Sequence, residues 1–566
     1  MTTQSPGQPR PPRATPRAAP PTDQSVKDTL ESIVVAFALA FVFRAFVCEA
    51  FLIPTGSMAP TLLGQHLRVT DPQTGYRFAV GVDPPTTLLD GDGGFASNRD
   101  ARSPLTGRDI DVPRGTKARP GDRILVLKYL YGVSPPKRWD VVVFKAPHEP
   151  QTNYIKRLIG LPNEAVAMLD GNVYTHPIAP HADAPPIDAP GWQIARKTDR
   201  PDTQASVFRT IYDSRYIPDA PIDPHANTAE PDAWPPPWTP VGDTADQWLL
   251  QGQREYTYRA DTPGSLRFDF ERHDYASRHA RYPYNQFKRA SNREPIEDIR
   301  LAVDVRPQAH GTELELRTTA RLGGEHRARQ PVIARIDATG SARLYTRDPG
   351  ADADRPLSAA HQTTPLQRDR ITRVELWHVD QHTILRINGT RVAEHRDDPT
   401  LAQVLAGPSP THTPDVSISL SAPATLTRVV LDRDLYYAGQ PSFQSARGAL
   451  FRRPAPTGDE PDPDAPPTHI ADPAALPFAI GPDRFWVIGD NSPHSDDGRF
   501  WNHIDPAVRS RFFDPAEFDN GRSPAGLVPR NLMVGRAFFV YFPAPLAITP
   551  DRHGLIPNFA DMRFIK

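Results

Sequence analysis

The stretch NYIKRLIGLPNEAVAMLDGNVY, Asn153 to Tyr174, decides how the fold is read. Tyr154–Ile159 has the aromatic and aliphatic content of a strand. Ala165–Leu169 and Asn172–Tyr174 flank Asp170-Gly171, a pair suited to the two left-handed residues of a tight hairpin turn. Successive side chains of a strand point to opposite faces, so Tyr154, Lys156 and Leu158 share one face. Lys156 therefore lies between an aromatic and an aliphatic neighbour, where a lysine ordinarily snorkels or pairs with an acid.

Further strands surround this stretch. Ile124–Tyr129 and Asp140–Lys145 precede it, so residues 54–174 read as one β-rich segment. From 175 to 295 the composition turns to Pro, Asp, Ala and His (PIAPHADAPPIDAP, EPDAWPPPWTP), which reads as a Pro-rich linker and lead-in. Residues 296–438 recover alternation in Leu301–Val305, Glu313–Leu316, Val332–Ile336, Ala342–Tyr345, Val374–Val379 and Thr383–Ile387. Asn388-Gly389 then turns into Arg391–Glu394, and Val416–Leu420 and Thr427–Leu431 close the set. Many short strands with no long helix predict a β-sandwich. The run RVELWHVDQHTILRINGTRVAEH resembles the jelly-roll meander of laminin-G or concanavalin-type domains, at the level of fold alone. A second linker is expected at 439–477. Phe485–Ile488 and Met533–Phe542 are strands of a final segment, 478–566.

At 566 residues the chain exceeds one compact core, and its 66 prolines are more than twice the usual ~5 %. A net charge of −2 and the lack of a basic stripe with interleaved aromatics point away from nucleic acid. A single cysteine, Cys48, excludes an internal disulfide and a Cys-based zinc site. Residues 1–25, with Arg10, Arg13 and Arg17, read as a disordered tail. Ile33 to Ile53 (IVVAFALAFVFRAFVCEAFLI) is long enough to cross a bilayer and is broken only by Arg44 and Glu49. The expectation is a signal anchor over 26–53, with the basic tail in the cytoplasm and the rest outside.

Four separated motifs carry polar chemistry. After the anchor comes Thr55-Gly56-Ser57-Met58-Ala59-Pro60-Thr61-Leu62, where Gly56 permits a tight turn presenting the Ser57 hydroxyl. Arg119-Pro120-Gly121-Asp122 and Trp139–Phe144 read as a turn and strands. The third is the Lys156 strand, and the fourth is GDNSPHSDDGRFW, Gly489 to Trp501. Asp71-Pro72-Gln73-Thr74-Gly75 and Ser103-Pro104-Leu105-Thr106-Gly107 share an x-Pro-x-Thr-Gly pattern like zinc-ribbon knuckles without cysteines. Their turns are expected to persist without metal, because Asp and Thr are poor zinc ligands. His176, His181, His494 and His503 lack ligand spacing.

Together GSMAPTL, RPGD with WDVVVF, YIKRLIGLP and GDNSPHSDDGRFW resemble, in order, the boxes of bacterial type I signal peptidases. The resemblance covers the anchor, Pro54–Tyr174 and Phe485–Pro543. It implies a mainly β fold: a transmembrane helix and a signal-peptidase β-domain split by an inserted jelly-roll-like sandwich. It also implies Ser57 as nucleophile, Lys156 as general base, Ser495 orienting the lysine and Thr55 completing an oxyanion hole. Asp490, Arg157, Asp497 and Arg499 would brace the site, and Phe51, Ile53, Met58, Leu62, Tyr154 and Ile155 would line small-residue pockets. Neither cofactor nor metal is implied. The implied partners are preprotein signal peptides, the lipid bilayer of the inner membrane and the secretion translocon.

Serine–lysine chemistry makes one physical demand. An unperturbed lysine has a pKa near ~10.4, so only roughly one in 2,500 is neutral at pH 7, whereas desolvation lowers that pKa by several units. Two other readings compete. A self-cleaving repressor also uses Ser and Lys but lacks an anchor, and a membrane-tethered protein whose sandwich binds glycan or protein would need no intact dyad.

Overall fold

The computed structural model describes residues 23–82, 89, 99–218, 237–251, 254–270, 283–286, 297–322, 329–406, 414–437, 477–515, 526–545 and 557–566. Most of the expected tail, residues 1–22, and nearly all of the expected linker, residues 438–476, lie outside them.

Two units compose the chain, one ending at Glu49 and the other starting at Ala50. The first is helical over Asp23–Val42 and continues as a wider turn over Phe43–Val47. Its apolar span, Val26–Val47, covers 22 residues. At 1.5 Å per residue this is about 33 Å, enough for a hydrocarbon core. Phe37, Leu39 and Phe41 are all more than 60 % exposed, an apolar surface left uncovered by the described residues. The helix ends earlier than the expected 53, because Cys48–Leu52 is a strand.

In the second unit the two ends of the sequence build common sheets. Arg123–Leu127, Met533–Phe542, Val141–Ala146, Glu149–Gly160, Arg484–Ile488 and Leu527–Pro529 lie side by side in that order. A smaller sheet orders Gln193–Ile194, Asn172–Pro177, Glu164–Leu169 and Phe478–Ile480. The hairpin at Asp170-Gly171 forms with both residues at positive φ, 52° and 78°. Most of the described strands between these halves belong to one sandwich, so the core is a split domain.

That sandwich has two antiparallel sheets. One runs Trp248–Gln251, Glu255–Tyr258, Ala424–Arg433, Ile299–Pro307, Thr372–Val379, His382–Ile387 and Thr390–Arg396, with Arg209–Asp213 also on Ala424–Arg433. The other runs Trp238–Val241, Gly264–Phe268, Val416–Leu420, Leu314–Arg321, Arg329–Ile336, Ser341–Thr346 and Arg355–Pro356. Inward residues such as Leu301, Val303, Leu316, Val332, Leu344, Leu376, Ile418 and Leu426 form one continuous core. Asn388 and Gly389 make the expected turn, at φ 48° and 80°.

The reading of 175–295 as linker and lead-in is corrected here. Arg209–Asp213, Trp238–Val241, Trp248–Gln251, Glu255–Tyr258 and Gly264–Phe268 are sandwich strands that bury Trp238, Tyr256, Tyr258 and Phe268 in the shared core. Proline density hid them. Pro240 sits in Trp238–Val241, an edge strand with a neighbour on one side only, where a missing N–H does little harm. The two x-Pro-x-Thr-Gly segments cap hairpins, with Gly75 and Gly107 at φ 71° and 70°. The caps face each other through a 3.2 Å hydrogen bond from Thr106 Oγ1 to Asp71 Oδ2, both residues being buried.

Trp238 meets Phe268 edge-on at 5.2 Å. Trp238→Ala is therefore expected to destabilise the protein by about 3–5 kcal/mol, seen as a lower denaturation midpoint. A linker tryptophan would leave the midpoint unmoved.

Candidate active site

Ser57 lies in a single turn, Gly56–Met58, entered from the extended and exposed Thr55. Met58, Ala59 and Leu62 are fully buried and anchor the turn, which leaves Ser57 half-buried. Asp122 of the RPGD box ties both flanks. Its carbonyl accepts from Ile53 N at 2.9 Å and its Oδ2 from Leu63 N at 3.0 Å. Its own N–H donates to Leu63 O at 2.8 Å. The box read from sequence as a structural turn thus fixes the serine loop at its base.

The fourth box meets this loop from the other side. Asn491 N–H donates to Ser57 O at 3.0 Å, and Asn491 Nδ2 donates to Gly56 O at 2.9 Å. Gly489 permits that approach: a β-carbon there would lie 2.2 Å from Ser495 Oγ and 2.3 Å from Ser57 O. Ser495 is thereby beside the serine backbone. Its buried hydroxyl makes no hydrogen bond among the described residues, so the implied bond to Lys156 is not formed in this structure. The Gly56–Met58 turn packs both on the strand Glu149–Gly160 and on the turn Ser492–His494.

Lys156 pairs with Val142 across the sheet. Its Nζ lies 5.7 Å from the centre of the Tyr154 ring. Tyr154, Phe144, Leu158 and Trp501 belong to one apolar cluster. The residue is 3 % exposed and forms no ion pair among the described residues. Burial, opposed by the more distant charges of Asp497 and Asp496, pulls its pKa down to about 8. Asp497 is itself neutralised by Arg499, at 2.8 Å through both Nε and Nη2. Arg157 and Asp490 form a second two-bond pair at 2.7 and 2.6 Å. All four residues are fully buried.

Of the expected pocket residues, Phe51, Ile53, Met58, Leu62 and Ile155 join one apolar cluster, whereas Tyr154 belongs to the cluster beside Lys156. Alternation along the strand explains the split. The sequence reading gave no role to Asn491, although it lies inside a quoted motif. It also passed over His148, whose ring packs on Tyr154 and Trp501 at 5.3 and 5.0 Å.

A second buried lysine, Lys197, behaves oppositely. Its Nζ meets Asp380 at 2.7 Å and Asp434 at 2.9 Å. Burial pulls its pKa down, but the two carboxylates override burial and hold it above the usual lysine value. It also lies over the rings of Trp139 and Tyr437, at 5.3 and 5.5 Å. The Tyr437 hydroxyl donates to Asp490 at 3.4 Å. A chain of buried contacts thus runs from the sandwich to the Arg157–Asp490 pair.

Residues 26–88 and 116–206 match the family model described as signal peptidase, peptidase S26, and these segments hold Ser57 and Lys156. Signal peptidase I of Pseudomonas aeruginosa is 33 % identical over 129 residues, covering 23 % of this chain and 30 % of that relative. For Buchnera aphidicola the figures are 27 % over 155 residues, 25 % and 32 %, and for Rickettsia bellii 26 % over 144 residues, 25 % and 37 %. The chain spans about a third of the length of these curated relatives. Among solved structures, the carbohydrate binding module CBM66 from Bacillus subtilis is 11 % identical over 34 % of this chain and 91 % of that one, at a TM-score of 0.21. The galectin LEC-6 of Caenorhabditis elegans is 11 % identical over 24 % and 83 %, at 0.16. Likeness at that level says nothing about ligand or activity.

The two lysines give a paired prediction. The unfolded chain keeps the Lys156 proton up to pH ~10.4, whereas the folded chain releases it above about 8. The folding penalty is therefore complete below pH 8 and fades as pH rises towards ~10.4. Lys156→Met should stabilise the protein by about 3 kcal/mol at pH 7, with the gain shrinking over that window. Lys197→Met should instead cost about 3–5 kcal/mol by stranding buried carboxylates. Urea denaturation of each variant against the parent at pH 7 and pH 10 measures both signs.

Proposed function

We propose that the chain is a membrane-anchored serine endopeptidase that removes signal peptides from exported preproteins, with Ser57 as nucleophile and Lys156 as general base. The observation that carries this reading is a buried lysine without a carboxylate partner among the described residues, on a strand packed against the serine turn. At a pKa of about 8 roughly one amine in ten is neutral at pH 7, a gain of a few hundredfold over free lysine.

In this mechanism the neutral Lys156 amine takes the Ser57 proton as the oxygen attacks the scissile carbonyl. The Ser57 N–H and the Thr55 hydroxyl donate to the resulting oxyanion. Collapse expels the leaving amine, which takes a proton from the Lys156 ammonium. Water deprotonated by the same amine then hydrolyses the acyl-enzyme. Arg157–Asp490 and Arg499–Asp497 keep their charges internally matched, so neither pair competes for the lysine. The apolar helix supports residence in the inner membrane. There the amino-terminal tail would be cytoplasmic and the site outer-facing, in reach of signal peptides delivered by the translocon. Ser57 follows that helix by ten residues, which limits how far from the lipid boundary the hydroxyl can lie.

Purified full-length protein in detergent, given a preprotein, tests the reading. Ser57→Ala and Lys156→Ala should each reduce cleavage by at least about 10³-fold. Parent-like cleavage by either variant sinks the dyad. A second test is pH: kcat/KM should climb about tenfold per unit below pH 8 and level off above it. A flat profile between pH 6 and 8 is incompatible with Lys156 as the base.

A further inference from the structure

Between two strands of the sandwich, Gly264–Phe268 and Ile299–Pro307, the insert sends a short segment back to the peptidase core. Pro283–Asn285 is one tight turn, and three consecutive side chains at 284–286 each engage a different part of that core. Asn285 and Asn491 exchange amide hydrogen bonds, Asn285 Nδ2 to Asn491 Oδ1 at 2.6 Å and Asn491 Nδ2 to Asn285 Oδ1 at 2.9 Å. Tyr284 donates its hydroxyl to Gln65 O at 2.9 Å. Its ring lies so close over Gly56 and Gly81 that a β-carbon at either would come within 2.2 Å of Cε1. Gln286 holds the Arg102 backbone twice, accepting from its N–H and donating to its carbonyl, both at 2.6 Å.

We infer that Asn285 is a positioning residue for the serine: the insert aims the Ser57 N–H through Asn491. The inference rests on the serine-peptidase reading above. Gly56 O and Ser57 N–H belong to one planar peptide unit and point in opposite directions. Fixing the carbonyl therefore fixes the amide. Asn491 Nδ2 holds that carbonyl at 2.9 Å, and Asn285 occupies the rest of the Asn491 carboxamide, accepting one proton and donating another. Both asparagines are buried, so no bulk water stands ready to replace a lost partner. Tyr284 leaves no room over Gly56 for the peptide to flip. Without Asn285 the Asn491 amide can rotate, and the proposed oxyanion donor loses its aim. The Lys156 surroundings and the pocket-lining residues are not touched by this contact, so its loss should act on turnover.

The test is steady-state cleavage of a preprotein by the full chain in detergent, comparing the parent with Asn285→Ala and Asn285→Asp. Asp still accepts from Asn491 Nδ2 but cannot donate to Oδ1, and it decides the matter if the alanine variant fails to fold. The expected result is kcat lowered roughly tenfold or more, KM within twofold and the midpoint of the pH profile unmoved. A kcat within twofold of the parent, or a rise in KM alone, overturns the inference. Ser57→Ala in the same assay separates the two layers. Cleavage that survives Ser57→Ala removes the serine-peptidase reading and the clamp with it. Cleavage lost in Ser57→Ala but parent-like in the Asn285 variants removes the clamp alone.

Discussion

The chemistry proposed for this protein depends on withholding a counter-ion from one ammonium group. Lys156 and Lys197 are equally sequestered, at 3 % and 1 % exposure, yet their pKa values move in opposite directions. Desolvation acts on both, and the difference is the two carboxylates within 3 Å of Lys197. Around Lys156 the buried acids are present but spoken for. Asp490 is matched by Arg157 and Asp497 by Arg499, whereas Asp496, the remaining acid of that box, is exposed and acts on the lysine only at a distance. Replacing either arginine would release an acid towards the lysine and raise its pKa back towards the free value.

The insert is not a bead on a string. Lys197 seats on Trp139 of the core and on Tyr437 at the exit of the sandwich, whose rings stack at 6.3 Å and 14°. Arg200 adds hydrogen bonds to Asp140 Oδ1 and Arg138 O, and Trp139 Nε1 donates to Arg196 O. The segment at 283–286 adds an attachment behind the serine turn, Arg321 reaches Asp170 at 3.1 Å, and Arg209 Nη2 donates to Thr61 Oγ1 at 3.3 Å. The sandwich is therefore mechanically part of the site.

Much of this was legible in the sequence, and the reasons are local. Asp170-Gly171 and Asn388-Gly389 announce their hairpins because few dipeptides adopt two successive positive φ angles. The strands of 299–431 show their alternation because one face is buried and the other is wet. Ser57, Lys156 and the four charged residues were singled out by motif, and the structure joins the four charges in two buried pairs. What failed was non-local. Arg209–Asp213 is a strand because Ala424–Arg433 offers it an edge, and nothing within a dozen residues signals that. A lysine strand likewise does not disclose whether acids from elsewhere will meet the ammonium, and Lys197 looked like any linker residue. Asn285 carries no local signal, since its partner lies 206 positions away.

The interleaving of the two halves has a consequence for biosynthesis. Met533–Phe542 lies between Arg123–Leu127 and Val141–Ala146, so the main sheet stays open until the far end of the chain arrives. Arg157 waits 333 positions for Asp490. A nascent polypeptide emerging amino end first thus displays Ser57 and Lys156 long before the sheet that holds them is complete. Such late closure over a large sequence separation makes assembly slow. The half-made protein is therefore a precursor in which the chemistry proposed above would stay silent.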